Sequence, residues 1–265
     1  MNLLSSFIES FFFQCDNRSY WIPQHFGLAG KYFFAEAADK KKRISAGLIR
    51  HPDVQSAPTV LYFYAGLRNW QFNLPQILYL LLSGYQVVVF DYAGAGASEG
   101  PLSLDGMSED ARLVFEHSKK NRIFEGKISV FAQGVGCDAA LRFCLTYPTE
   151  VSALILESPY YSRKGWLQDH WGPMVGDFAA WSLKTHSPEP KDIIPQLTVP
   201  TLVFFPGKNL YLPEKQKQLF IEHAGDNVTI NLAPKREYLS TFVGNFNKEQ
   251  ECALNFLNKN QTDTE

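Results

Sequence analysis

Six short apolar runs, at residues 59–64, 86–91, 127–131, 151–157, 201–205 and 227–232, constrain what this chain can fold into. They are rich in Val, Ile, Leu and Phe and show little alternation with polar residues, the pattern of strands buried on both faces in a parallel sheet. Helical periodicity at 71–82, 104–121, 137–147, 213–223 and 247–258 places a crossover between most consecutive runs. Parallel pairing requires such crossovers. The order therefore predicts an α/β architecture, with a mostly parallel central sheet carrying helices on both faces. Two β-rich segments, 27–37 and 43–50, read as an antiparallel entry, and the basic run from Lys40 to Arg43 between them reads as a solvated hairpin turn.

The chain has 265 residues, 45% of them hydrophobic, enough to bury a full core in a single unit over residues 16–265. A formal net charge of -2 provides no basic field for nucleic acid. Cys15, Cys137, Cys144 and Cys252 have no metal-ligand or CxxC spacing. They read as reduced thiols of a cytoplasmic protein that uses neither metal nor cofactor. In residues 1–15, Leu3, Leu4, Phe7, Ile8, Phe11 and Phe12 recur at helical spacing, with Ser5, Ser6, Glu9 and Ser10 on the other face. This amphipathic helix is shorter than the roughly 20 apolar residues of a membrane span. It is expected to dock on its own domain, with contact to a membrane surface or a partner as the alternative.

The segment at about 159–196 breaks the alternation. It carries Tyr160, Tyr161, Trp166, Trp171, Phe178 and Trp181 between two strands and is too long for a plain loop. Ligands bind beyond the carboxyl ends of strands in open α/β sheets, so an insertion there is expected to act as a lid over a pocket. Any one of its aromatics has a simpler explanation, packing the insertion onto the body.

The most telling local motif is 128–141, ISVFAQGVGCDAAL, in which a strand passes through Gln133-Gly134-Val135-Gly136 directly into a helix. A G-x-S-x-G nucleophile elbow has this setting, but the serine position reads Gly134. Upstream, Leu61-Tyr62-Phe63-Tyr64-Ala65-Gly66 is similar to a strand and His-Gly turn that builds an oxyanion hole, with Ala65 in place of histidine. Residues 88–100, VVFDYAGAGASEG, are similar to a strand followed by D-x-R-G-x-G-x-S, with Ala93 in place of arginine. Gly207-Lys208-Asn209 matches a loop that carries a catalytic acid. From about Gly27 onward the chain thus resembles the α/β-hydrolase fold, and within it the serine aminopeptidase and Bem46-like lysophospholipase group. Gly96-Ala97-Ser98-Glu99-Gly100 also spells G-x-S-x-G, but Ser98 follows several loop residues rather than a strand-to-helix junction. It is expected to pin that loop.

The resemblance implies a chain order of nucleophile, acid and histidine. These positions are Gly134, Asn209 and the stretch 233–242, which holds no histidine and has Tyr238 or Glu237 in the approximate place. Cys137, Glu157, His170 and His186 are the residues from which chemistry could be rescued. The backbone around Gly66, Leu67, Gly134 and Val135 could still form an oxyanion hole, with Glu157, Trp166 and Trp171 completing a binding site. The expectation is a catalytically degenerate hydrolase-like protein whose pocket takes a small apolar or acyl ligand, or which binds a protein partner. The alternative is an atypical hydrolase of the esterase, thioesterase or lysophospholipase type.

Overall fold

A computed structural model describes residues 3–39, 41–54, 57–183 and 185–262. In chain order the elements are α1 (Leu3–Glu9), β1 (Gln14–Cys15), β2 (Ala29–Glu36), β3 (Arg43–Arg50), β4 (Thr59–Phe63), β5 (Leu67–Arg68), α2 (Leu78–Leu82), β6 (Gln86–Phe90), α3 (Gly106–Lys120), β7 (Ile128–Gln133), α4 (Gly136–Thr146) and β8 (Val151–Glu157). Then follow α5 (Arg163–Trp171), α6 (Pro173–Leu183), α7 (Pro190–Ile193), β9 (Thr201–Lys208), α8 (Glu214–Glu222), β10 (Val228–Glu237) and α9 (Lys248–Thr262).

The described residues form an eight-stranded sheet in the order β10-β9-β8-β7-β4-β6-β3-β2. From β10 to β6 every pairing is parallel, whereas β3 runs antiparallel to both β6 and β2. Every residue of β4, β6, β7 and β8 is buried, as expected of unalternating apolar strands enclosed by helices. Helix α3 buries Met107, Ala111, Val114, Phe115 and Ser118, a stripe at helical spacing. The hairpin between β2 and β3 lies where the basic run predicts it, although Lys40 is outside the described residues.

Three segments depart from the sequence reading. Residues 71–82 do not form one helix: a 3-10 turn at Leu74–Gln76 precedes the short α2. Pro75 lacks an N–H, and Asn73 donates from Nδ2 to the carbonyls of Leu67 and Asn69, at 2.7 and 2.9 Å, holding the entry as a turn. Strand β10 continues through a bulge to Glu237, so half of the expected 233–242 loop is strand.

The third departure is the amino-terminal segment. Its helix ends at Glu9, and Gln14 and Cys15 are captured as a short parallel strand against Leu67 and Arg68, with Gln14 N–H donating to Gly66 O at 2.8 Å. The apolar face docks as expected, with Ile8, Phe12 and Phe13 buried, but Ser5 and Glu9 of the polar face are buried as well. Ser5 donates to Leu183 O at 3.0 Å, and buried Glu9 accepts from Leu104 N–H at 3.0 Å, while Phe7 is 60% exposed. Backbone groups needing partners on α6 and ahead of α3 draw Ser5 and Glu9 inward beside the apolar face, and side-chain hydropathy alone cannot foresee this.

Candidate functional site

Gly134 sits at the junction of β7 and α4 with φ +52°, a left-handed conformation that glycine adopts without strain. Its N–H donates to Glu157 O at 2.9 Å. Two residues on, a Cβ at Gly136 would lie 2.5 Å from Tyr64 O and 2.6 Å from Phe63 O, so only glycine lets α4 approach β4 this closely. The turn is thus a fixed strand-to-helix elbow, with Val135 leading into the amino terminus of α4.

Beside it lies a cavity of about 530 Å³. Its floor collects the residues that follow successive strands: Ala65, Gly66 and Leu67 after β4, Gly134 and Val135 after β7, Ser158 after β8, and Tyr238 and Leu239 after β10. Tyr211 and Leu212, beyond β9, add to the wall. This is where open α/β sheets hold ligands. Phe11, Phe12, Trp21, Phe72, Tyr160 and Trp166 provide aromatic walls. Among the described residues no Asp, Glu, Lys, Arg or His lines it.

Of the expected binding residues, Gly66, Leu67, Gly134, Val135 and Trp166 line the cavity. Glu157 and Trp171 do not. Trp171 packs edge-on against Phe11, with ring centroids 4.6 Å apart. Glu157 is fully buried beneath the floor, where Thr241 Oγ1 donates to it at 2.5 Å and Gln133 Nε2 donates to its other oxygen. Burial pushes its carboxyl up to about 7, against these hydrogen bonds, which favour the ionised form. Gln133 also donates to Gln76 at 3.1 Å and accepts from Tyr62, and Gln76 donates to Leu239 O at 2.6 Å. This network holds the cavity floor from below.

The positions aligned with a triad hold other arrangements. A Cβ on Gly134 would collide with the Tyr238 hydroxyl, so the phenol fills the space that a nucleophile's side chain would need. Burial, followed by the charge of Glu157, raises Tyr238 well above the ordinary phenol range. Tyr238 N–H donates to Lys208 O at 3.0 Å, its ring rests against Tyr211, and the next residue, Leu239, has φ +56°. Glu237 is exposed and bonded to Ser240 through its backbone. Asn209 Oδ1 accepts from the N–H groups of Tyr211 and Leu212 at 3.0 and 3.1 Å, and its Nδ2 donates to Ser158 Oγ at 2.9 Å. Its side chain shapes the loop that supports the cavity wall.

The residues expected as rescue candidates lie elsewhere. Cys137 is buried, its thiol donates to Glu157 O at 3.4 Å, and burial raises it well above the ordinary range. His170 is exposed, with Nδ1 at 2.8 Å from Trp166 O, and His186 is exposed with its N–H on Asp105. Ser98 accepts from Ser45 N–H and donates to Asp91 O, both at 2.8 Å, and pins its loop as expected. No cluster of three His, Cys, Asp or Glu side chains suited to a metal occurs among the described residues.

Sequence reasoning missed two contributors. Phe11, Phe12 and Gln14 bring the amino-terminal segment into the cavity wall, and the aromatic density of Phe11-Phe12-Phe13 is the one available hint. Asp138, at the start of α4, is the other. Arg163 Nε donates to its Oδ2 at 2.7 Å and Arg163 Nη2 to its Oδ1 at 3.1 Å, Tyr160 donates at 2.5 Å, and Arg142 lies at 3.3 Å. Burial alone would raise Asp138, but Arg142 and Arg163 hold it below the usual carboxylate range. Arg163 also donates to Ser187 O and Pro188 O, at 3.1 and 2.9 Å, and so ties the inserted helices to the body.

The mostly parallel sheet, the strand-to-helix elbow and the cavity above the strand ends define an α/β-hydrolase-fold protein. Within that fold the chain resembles the serine aminopeptidase and Bem46-like group. The family model for serine aminopeptidase, S33, matches residues 75–193. The chain is 29% identical over 145 residues to protein bem46 of Schizosaccharomyces pombe, covering 54% of this chain and 48% of that protein. It is 35% identical over 127 residues to the lysophosphatidylserine lipase ABHD12 of Danio rerio, covering 45% of this chain and 32% of the lipase. The matched part thus spans about half of one relative and a third of the other. The structure of the Pyrococcus furiosus esterase Pf2001 superposes with a TM-score of 0.71 at 18% identity, covering 93% of this chain and 98% of that one, a likeness of fold.

Proposed function

We propose that this molecule uses a hydrolase frame for binding: its apolar cavity holds a small apolar or acyl ligand without performing serine acyl transfer. One observation carries the reading. The Tyr238 hydroxyl occupies the room of a nucleophile's side chain at Gly134. Asn209 committed to its loop and a cavity that no histidine lines among the described residues point the same way. The insertion over α5 and α6 acts as a lid in this reading, with Trp166 on its inner side and the Arg163–Asp138 clamp as its anchor. Four free cysteines are consistent with work in the reducing cytoplasm.

The alternative, an atypical ester or thioester hydrolase, would need Cys137 or an insertion histidine. The burial of that thiol and the outward placement of His170 and His186 argue against it. Assay of the purified chain against short and long p-nitrophenyl esters is the test. No turnover above the buffer rate is expected, and hydrolysis abolished by Cys137→Ala would overturn the binding reading.

A second element of function concerns the outer surface. Phe7 on α1 and Met174, Val175, Phe178 and Trp181 on α6 are exposed apolar side chains, Met174 at 88% and Trp181 at 71%. Helices α1 and α6 pack together, and such a group of exposed apolar residues favours contact with an apolar surface, a membrane interface or a partner protein.

A further inference from the structure

We propose that the Tyr238 hydroxyl is the group with which the cavity recognises its ligand, donating a hydrogen bond to the uncharged carbonyl oxygen of a long-chain acyl compound that remains intact. The proposal rests on the reading of this cavity as a binding site and assigns its ligand class. The phenol points to the elbow, where a side chain on Gly134 would meet it, at the meeting of Val135, Ala65 and Gly134. Among the described residues the hydroxyl engages no hydrogen-bond partner. The polar lining residues Gln14, Asn73, Gln76 and Ser158 make no hydrogen bond to it, so this donor is satisfied by an acceptor on whatever fills the cavity. Because burial and Glu157 hold the phenol protonated, it enters as a donor.

The rest of the lining selects against charge. Among the described residues no cationic side chain lines the cavity to neutralise a carboxylate or phosphate, and Glu157 lies one layer below the floor. An anion brought into this space would lose its hydration without a compensating charge. An ester, amide or aldehyde carbonyl needs only a donor. Phe12, Trp21, Phe72 and Trp166 supply the wall along which a hydrocarbon chain lies. The step is binding alone: no bond is made or broken, and the phenol keeps its proton.

The probes are methyl palmitate, palmitate and hexadecane, bound by the full chain and followed through Trp21 and Trp166 fluorescence. The wild-type protein is expected to bind methyl palmitate and hexadecane, and to bind palmitate at pH 8 at least tenfold more weakly than its methyl ester. Tyr238→Phe keeps the ring and is expected to weaken methyl palmitate by about five- to tenfold, the loss of one hydrogen bond, with hexadecane unchanged. Equal binding of the ester by wild type and Tyr238→Phe would overturn the assignment of Tyr238 while leaving the cavity as a binding site. Failure of all three probes to bind would overturn the cavity reading and the assignment with it. The infrared carbonyl stretch of methyl palmitate bound to the wild-type protein gives an independent readout without any variant. A shift to lower frequency than in hydrocarbon solvent is expected, and an unshifted band overturns the hydrogen bond.

Discussion

Glu157 is enclosed by Thr241, Gln133 and the cavity floor, and its ionisation is displaced from 4.5 to about 7 by burial. Between these values the folded state binds more protons than the unfolded state, so stability falls as pH rises across that window. Glu157→Gln retains an acceptor for Gln133 and offers an N–H to Thr241 Oγ1. It is expected to match the wild type near pH 5 and to exceed it by about 2–3 kcal/mol at pH 8, measured by urea denaturation at both pH values. Gly134→Ser tests the elbow at the same scale. The added side chain meets Tyr238, and the left-handed backbone strains any Cβ, so a loss of about 1–3 kcal/mol and no gain in ester hydrolysis are expected. Melting temperature and esterase assay check the two halves.

The inserted helices are held to the rest by charge as much as by apolar packing. Arg163 and Asp138 are both fully buried, and removing one leaves the other without its counter-charge. Arg163→Ala is therefore expected to cost about 3–5 kcal/mol and to expose α5–α7 to limited proteolysis before the central sheet unfolds. Retained resistance of that segment would show that Trp166, Leu167 and Ala179 anchor it without the ion pair. Because Asp138 is held below the usual carboxylate range, its share of stability is present above about pH 4 and is lost as pH falls through its folded value. The amino-terminal segment belongs to the same assembly: Phe12 packs on Trp166 and Phe11 on Trp171, each at 4.6 Å between ring centroids. Its apolar periodicity is visible in the sequence, but the burial of Ser5 and Glu9 beside Ile8 and Phe12 is not. It depends on which backbone partners α6 and Leu104 present.

At the scale of the molecule, one apolar feature is internal and one external. The cavity lies at the carboxyl ends of the strands, and the exposed side chains of α1 and α6 mark an outer face that the fold leaves unpacked. Replacing Phe178 and Trp181 together by Ser is expected to leave the unfolding free energy within about 1 kcal/mol of wild type, since both are exposed. The same pair of changes is expected to reduce co-sedimentation with phosphatidylcholine vesicles several-fold. Undiminished vesicle binding would remove this face from the account. No helix of the described residues is long and apolar enough to cross a membrane.

The parallel sheet, its antiparallel edge and the strand-to-helix elbow at Gly134 were legible in the sequence, because buried parallel strands must be continuously apolar and a glycine-flanked junction has few conformations. The absence of a serine at 134 and of a histidine in 233–242 was equally plain. Tertiary structure alone decided what replaced them. The hydroxyl of Tyr238 reaches Gly134 across more than a hundred residues because β10 bulges beyond Ala233 and Leu239 turns the chain with a positive φ, events without a local periodic signal. It likewise put Glu157 beneath the cavity rather than in it, and buried Ser5 and Glu9 of the amino-terminal helix along with its apolar face. Local sequence limits which elements can form. Which side chain faces which is settled by the simultaneous packing and hydrogen bonding of segments far apart in the chain.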